Sequence, residues 1–173
     1  MSGAIKTLCL VAFLSILSFS QMAPFYPLQA REKGISVFYV GFVLGSNAVA
    51  YMGGSVYSSN YMHLIGRENS MIIGMGLILV QQVGLFAVSL LIDNAVTFFT
   101  LSVVFQLVGG LGSGSNSVAS MAMVIADAEK KDREKYIGLI ETTTGIGFLL
   151  GPVWGSAMYH LGGYPAPFAC SGK

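Results

Sequence analysis

Apolar residues run along this chain in long stretches, broken at intervals by short charged segments. No Lys, Arg, Asp or Glu occurs for 24 residues from Thr7 to Ala30, 33 from Gly34 to Gly66, 24 from Asn69 to Ile92, 33 from Asn94 to Ala126 and 31 from Thr142 to Gly172. A hydrocarbon layer about 30 Å thick is crossed by roughly 20 apolar residues, each rising about 1.5 Å along a helix. Each run therefore predicts one membrane-crossing helix, and the charges between runs mark water on either side. Five spans follow, near 5–26, 37–58, 71–92, 96–124 and 137–160, within a single transmembrane domain covering 1–173. Inside lipid the backbone must satisfy its own hydrogen bonds, which leaves helices or closed barrels. These runs lack the period-two alternation of barrel strands. The expected fold class is all-α: a polytopic membrane helix bundle of about five transmembrane helices.

Composition points the same way. Hydrophobic residues make up 54% of the chain and charged residues 10%, against roughly 25% charged in average soluble domains. A soluble helical fold would lack the charge to cover its surface. Lys6 before an apolar stretch resembles the start of a signal peptide. That stretch, however, outruns the roughly 7–15-residue core of such peptides, and Pro24-Phe25-Tyr26-Pro27 is a poor match to a small-residue cleavage site. An uncleaved first helix is the better fit. The net charge of +1 gives no reason to expect a nucleic-acid partner. Cys9 and Cys170 are too few for a disulfide framework or a metal site. The lipid bilayer is the first expected partner.

Basic residues give the orientation. With five spans, the N-terminal side receives Lys6, Arg67, Lys130, Lys131, Arg133 and Lys135, and the other side Arg31, Lys33 and Lys173. The positive-inside rule places the N-terminus in the cytoplasm and the C-terminus in a lumen or outside. The 127–135 loop mixes both signs. As a short helix it could pair Glu129 with Arg133, while Lys131 and Lys135 would repel.

Many of the 22 glycines fall inside the spans. Lipid gives helices no hydrophobic reason to associate, so small residues that allow close backbone approach drive their packing. Gly41/Gly45, Gly110/Gly114 and Ser113/Ser117 are spaced by four, and Gly147, Gly151 and Gly155 form a longer stripe. Pro152 inside that stripe predicts a kink or hinge.

Polar side chains within the spans are the functional candidates, because lipid makes them costly. Glu141 lies six residues beyond Lys135, ahead of Thr142-Thr143-Thr144. It could carry a proton, pair with a cation or sit at the water boundary. Gln21, Asn47, Gln106 and Asn116 are further candidates for a substrate or proton pathway. Gln81, Gln82, Ser113, Ser115 and Ser117 suit helix-to-helix hydrogen bonds. His63 and His160 fall at span ends without partners at metal-ligand spacing. No nucleophile–base arrangement, phosphate loop or cofactor motif is present, so neither an enzyme nor a metal or cofactor protein is expected. Gly110-x-Gly112-x-Gly114 lies in a span and is not a nucleotide fingerprint.

Gly147-Phe-Leu-Leu-Gly151-Pro152-Val-Trp-Gly155-Ser156 resembles the fifth-helix GxxxGPxxGG motif of the major facilitator superfamily, typical of its proton-coupled exporters, with Ser156 for the final Gly. Gln106-Leu-Val-Gly-Gly110 is similar to the family's RxxQG motif with Gln in place of Arg. Residues 59–68 resemble a degenerate GxLaDRxGRR loop, of which Gly66 and Arg67 survive. The match extends to the vesicular amine and polyamine transporter branch. It rests on Ala23-Pro24-Phe25-Tyr26-Pro27, Lys33-Gly34-Ile35-Ser36, Asn60-Tyr61, Ile65-Gly66, Ile140-Glu141-Thr142 and Tyr164-x-Ala166-Pro167-Phe168. This resemblance implies a proton-coupled antiporter of small organic cations, with Glu141 at an acidic position of the fifth helix.

Transporters of this family place substrate between two six-helix halves built of inverted repeats. The chain would then be an incomplete N-terminal half, and alternating access is not expected from it alone. Two functions remain: a truncated transporter-like protein completed by another membrane chain, or a non-transporting structural or accessory subunit of a membrane complex.

Overall fold

The computed structural model describes residues 2–162, and every element in it is helical: α1 Ser2–Ser20, α2 Met22–Glu32, α3 Val37–Ile65, α4 Arg67–Leu91, α5 Ala95–Asp127 and α6 Arg133–Gly162. Cys170 and the 164–168 segment lie outside the described residues. The helices α3, α4, α5 and α6 are long and apolar enough to cross a membrane, and the apolar part of α1, Ile5–Ser20, is shorter.

The stretch expected as one span over 5–26 is two helices that meet at Gln21. Pro24 and Pro27 carry no backbone N–H, so the carbonyls four residues earlier, on Ser20 and Ala23, lose their helical donors. The break is slight. Gln21 keeps right-handed helical angles (φ −62°, ψ −25°), and its N–H still donates to the Leu17 carbonyl at 3.1 Å. The chain then stays helical to Glu32, beyond the expected end.

Other boundaries have local causes. The hydroxyl of Ser36 accepts from the Phe38 N–H at the start of α3. Asn94 Oδ1 accepts from the N–H groups of Val96 and Thr97 at the start of α5, the usual role of Asn and Ser before a helix. A single residue, Gly66, joins α3 to α4. Its φ of +90° and ψ of 149° lie in a region essentially closed to side-chain-bearing residues. That requirement accounts for the glycine surviving in an otherwise degenerate loop.

The helices pack in two groups. α5 runs parallel to α3 and antiparallel to α4, and its small residues divide between them. Gly110 and Gly114 face α3, where a Cβ on Gly110 would lie 2.7 Å from Ala50 Cβ. Gly109 and Gly112 face α4, where a Cβ on Gly112 would lie 2.6 Å from the Gly74 carbonyl. α1 pairs with α6 instead, and contacts between the two groups are sparse. At this second seam Gly147 abuts Phe13 and Ile16, and Gly151 abuts Ser20. A Cβ on Gly41 or Gly45 would meet nothing within 4 Å, so that pair does not pack against another helix among the described residues.

α6 runs as one helix from Arg133 to Gly162, through Pro152, the position expected to kink. Pro152 leaves the Phe148 carbonyl without its helical donor, and Ser20 Oγ donates to that oxygen at 2.6 Å from α1. A side chain of the neighbouring helix thus supplies the bond that the proline removes.

Two apolar clusters hold the ends. One joins Met22, Tyr26, Val43, Leu85 and Phe98, with Tyr26 and Phe98 stacked at 5.8 Å. Lys33 Nζ closes this end by donating to the Ile92 carbonyl at 2.6 Å, 3.4 Å from Asp93. The other cluster joins Ile5 and Leu8 of α1 to Val124, Ala128 and Ile140. The 127–135 segment is not a short helix. Glu129 pairs with Lys131 at 3.0 Å, and Arg133 Nε donates to the Ala128 carbonyl rather than meeting Glu129.

Candidate functional site

Between the two groups of helices lies a cavity of about 510 Å³, lined by α1, α3, α5 and α6. Glu141, Asn116 and Asn47, on three different helices, all line it, with Ser15 and Thr144 beside them. The size falls within the roughly 300–1,000 Å³ of small-molecule sites. Glu141 is exposed and forms no hydrogen bond or ion pair among the described residues. The hydroxyls that follow it do not turn toward it: Thr142, Thr143 and Thr144 donate back to the carbonyls of Gly138, Leu139 and Ile140. Such back-bonding satisfies hydroxyls within their own helix and leaves the carboxylate uncommitted.

Asn116 is held more firmly. Ser15 donates its proton to the Val11 carbonyl at 2.8 Å, so its oxygen can only accept, and it accepts from Asn116 Nδ2 at 3.0 Å. That fixes the amide with Oδ1 as the free end, and Oδ1 has no hydrogen-bond partner. Ser15 was not among the sequence candidates. Nothing in its local pattern pairs it with a residue 101 positions away.

Gln106 and Gln21 do not line this cavity. Gln106 is fully buried at the centre of an amide cluster. Its Oε1 accepts from Asn47 Nδ2 at 2.9 Å and from Gln81 Nε2 at 2.6 Å, and its Nε2 donates to Met22 Sδ at 3.0 Å. Asn47 therefore belongs to both places, with its amide bonded to Gln106 and its surface on the cavity. Gln21 is also fully buried, with neither amide atom hydrogen-bonded. Gln82, a structural candidate, ties α4 to α1 by donating to the Ser18 carbonyl at 2.8 Å.

A second cavity of about 490 Å³ lies at the α3–α4 joint. Gly66 and Arg67 line it with His63, Glu68 and Asp127. Asp127, from the far end of α5, is a neighbour that the loop's own sequence does not reveal. On α6, Gly147, Gly151 and Gly155 are buried and Pro152 is half-buried; Gly147 and Gly151 pack against α1, and none of the four lines the cavity. Among the described residues no three His, Cys, Asp or Glu side chains converge as a metal site would require.

Comparison with known proteins agrees with this architecture. The family model described as Major Facilitator Superfamily matches residues 8–172. The chain is 27% identical over 158 residues to the MFS-type transporter SLC18B1 of Homo sapiens, an alignment covering 91% of this chain and 34% of that protein. The Mus musculus protein of the same name is 27% identical over 153 residues, covering 88% and 33%. The MFS efflux transporter aclA of Aspergillus oryzae is 26% identical over 156 residues, covering 88% and 26%. The chain thus spans about a third or less of the length of these relatives. With the family match across nearly its whole length and a bundle of membrane-length apolar helices, this chain belongs to the Major Facilitator Superfamily and is a multi-pass membrane protein of a transporter family.

Proposed function

We propose that the chain forms one wall of the translocation site of a proton-coupled organic-cation antiporter, with Glu141 as the group that takes up either the cation or the proton. The observation that carries this reading is the convergence of Glu141, Asn116 and Asn47 on one cavity. An uncommitted carboxylate at a cavity within membrane-length helices is costly unless a cation or proton relieves it. The likeness to proteins named as transporters supports it as well. In this reading another membrane chain, or further sequence, supplies the opposite wall. The N-terminus is cytoplasmic, with the Gly66–Arg67 joint and the basic loop after α5 on the same side.

Gln106 bears on coupling. Its neutral cluster takes and releases no proton, which leaves Glu141 as the acid for coupling on this wall. Reconstituted in liposomes together with the membrane segment or chain that supplies the opposite wall, this chain is expected to take up a labelled organic amine in response to a proton gradient, and Glu141→Gln to abolish that uptake.

A second reading, a non-transporting structural or accessory subunit, is favoured by the open glycine faces of Gly41/Gly45 on α3 and Gly138/Gly145 on α6, which have nothing within 4 Å. Small residues are where membrane helices from another chain approach. Absence of uptake by the reconstituted complex that this chain forms with a second membrane protein would decide for this reading.

A further inference from the structure

The seam between α2 and α5 is an antiparallel ladder. Met22 meets Gln106, Tyr26 meets Ser102 and Phe98, and Lys33 lies over the Phe98 ring, 5.3 Å from its centroid. Both ends of the ladder are satisfied. Gln106 is bonded to Asn47, Gln81 and Met22, and Lys33 donates to the Ile92 carbonyl. The middle is not. The Ser102 hydroxyl lies beside that of Tyr26, yet the two do not meet at hydrogen-bonding geometry, and neither has another partner. About one turn further along α2, Gln29 donates through Nε2 to the Ser89 carbonyl, while its Oε1 is buried and unpaired. Tyr26, Gln29 and Ser102 are 1%, 7% and 0% exposed, so lipid and bulk water do not reach them.

We infer that this rung binds an ordered water molecule, held by Tyr26 Oη, Ser102 Oγ and Gln29 Oε1. Buried hydroxyls and amide oxygens are costly when unpaired, and a buried water typically makes about three hydrogen bonds to such groups. The three atoms suit water in kind as well as number. Gln29 Oε1 can only accept, whereas each hydroxyl both donates and accepts. A water donates to the amide oxygen and to one hydroxyl while accepting from the other. A cation fits worse. The Lys33 ammonium already lies over the ring on which Tyr26 stacks, and the acid beside it, Asp93, is exposed. The packed surroundings are Met22, Val43, Leu85 and Phe98, where an unpaired charge is strongly unfavourable. The site is independent of the transport reading, since none of its three residues lines the central cavity. Inward it ends at the Gln106 amides, so this water joins helices and carries no proton to Glu141.

The test is water-edited solid-state NMR of the chain in lipid nanodiscs, with its tyrosine rings labelled, so that magnetisation passes from water to each ring. The Tyr26 signal is the one that Tyr26→Phe removes. Tyr39 and Tyr61, exposed near the two ends of α3, give the rate for a wet ring. Buried Tyr26 is expected to build up within about fivefold of that rate, as a ring beside a bound water does. A slower build-up would mean a dry rung and overturn the inference.

Stability gives a second reading of the same hydroxyl. Tyr26→Phe is expected to lower the denaturation midpoint, because it removes a paired group. A midpoint unchanged or raised would show the hydroxyl unpaired in the folded protein, and the water with it would be lost from the account. A Tyr26 signal that moves when potassium replaces sodium at constant ionic strength would assign the rung to a cation and overturn the inference as well.

Discussion

Two polar regions lie close together in this bundle and behave differently. Around Gln106, amides from α3, α4 and α5 donate and accept among themselves and reach the Met22 sulfur, all of them buried. Around Glu141, a carboxylate and one end of an amide remain without partners, beside an open cavity. The first region spends its hydrogen-bonding capacity on joining helices, and the second keeps part of it free. A polar residue within a membrane helix is therefore not read by its identity alone. What distinguishes the two is whether neighbouring helices consume its donors and acceptors.

Stability and binding measurements can break this distinction. The largest loss is expected where neither region is polar, at the seam that holds the amide cluster together. Gly112→Leu would force a side chain into the Gly74 carbonyl and Leu77, and overpacking of this kind costs about 1–3 kcal/mol or more. The expected outcome is loss of the monodisperse species in size-exclusion chromatography in detergent.

Next comes Gln106→Leu, which strips the acceptor from Gln81 and one acceptor from Asn47. A buried donor left unmatched costs about 1–3 kcal/mol, to be read as reduced resistance to denaturant, with affinity for an organic amine changing much less than stability. Should affinity collapse while stability holds, the cluster belongs to the binding site and the contrast fails.

Ser20→Ala removes the donor to the Phe148 carbonyl that Pro152 leaves free. Hydrogen bonds between membrane helices average about 0.6 kcal/mol, so a small loss of stability is expected. Restoring the helical donor by combining Ser20→Ala with Pro152→Ala should recover part of it.

Glu141→Gln should change stability least, within about 0.5 kcal/mol, because the carboxylate holds nothing in place, and yet abolish amine binding. A large loss of stability there would mark Glu141 as structural.

The architecture was legible to different depths. Long charge-free runs announced α3, α4, α5 and α6, because an apolar run of that length has few other ways to fold. Glycine spacing marked the faces of α5 and α6 that pack, yet Gly41 and Gly45 show the same spacing and pack against nothing among the described residues. The division at Gln21 was written in Pro24 and Pro27, though the run of apolar residues hid it. At Pro152 the helix continues, and the serine on another helix that donates to the carbonyl it leaves free is not visible in the local sequence.

By itself, the sequence determined that the chain is helical, apolar enough for lipid, glycine-packed and marked with the motifs of its family. Those properties depend on composition and on spacing within single segments. Only the tertiary structure decided which polar residues meet: that Glu141, Asn116 and Asn47 share a cavity while Gln106 and Gln21 do not, and that Ser15 fixes one amide and Ser20 relieves one proline. The hydrogen-bonded partners among them lie 59 to 128 residues apart along the chain. Their meeting depends on how whole helices pair and rotate, and no local period encodes that.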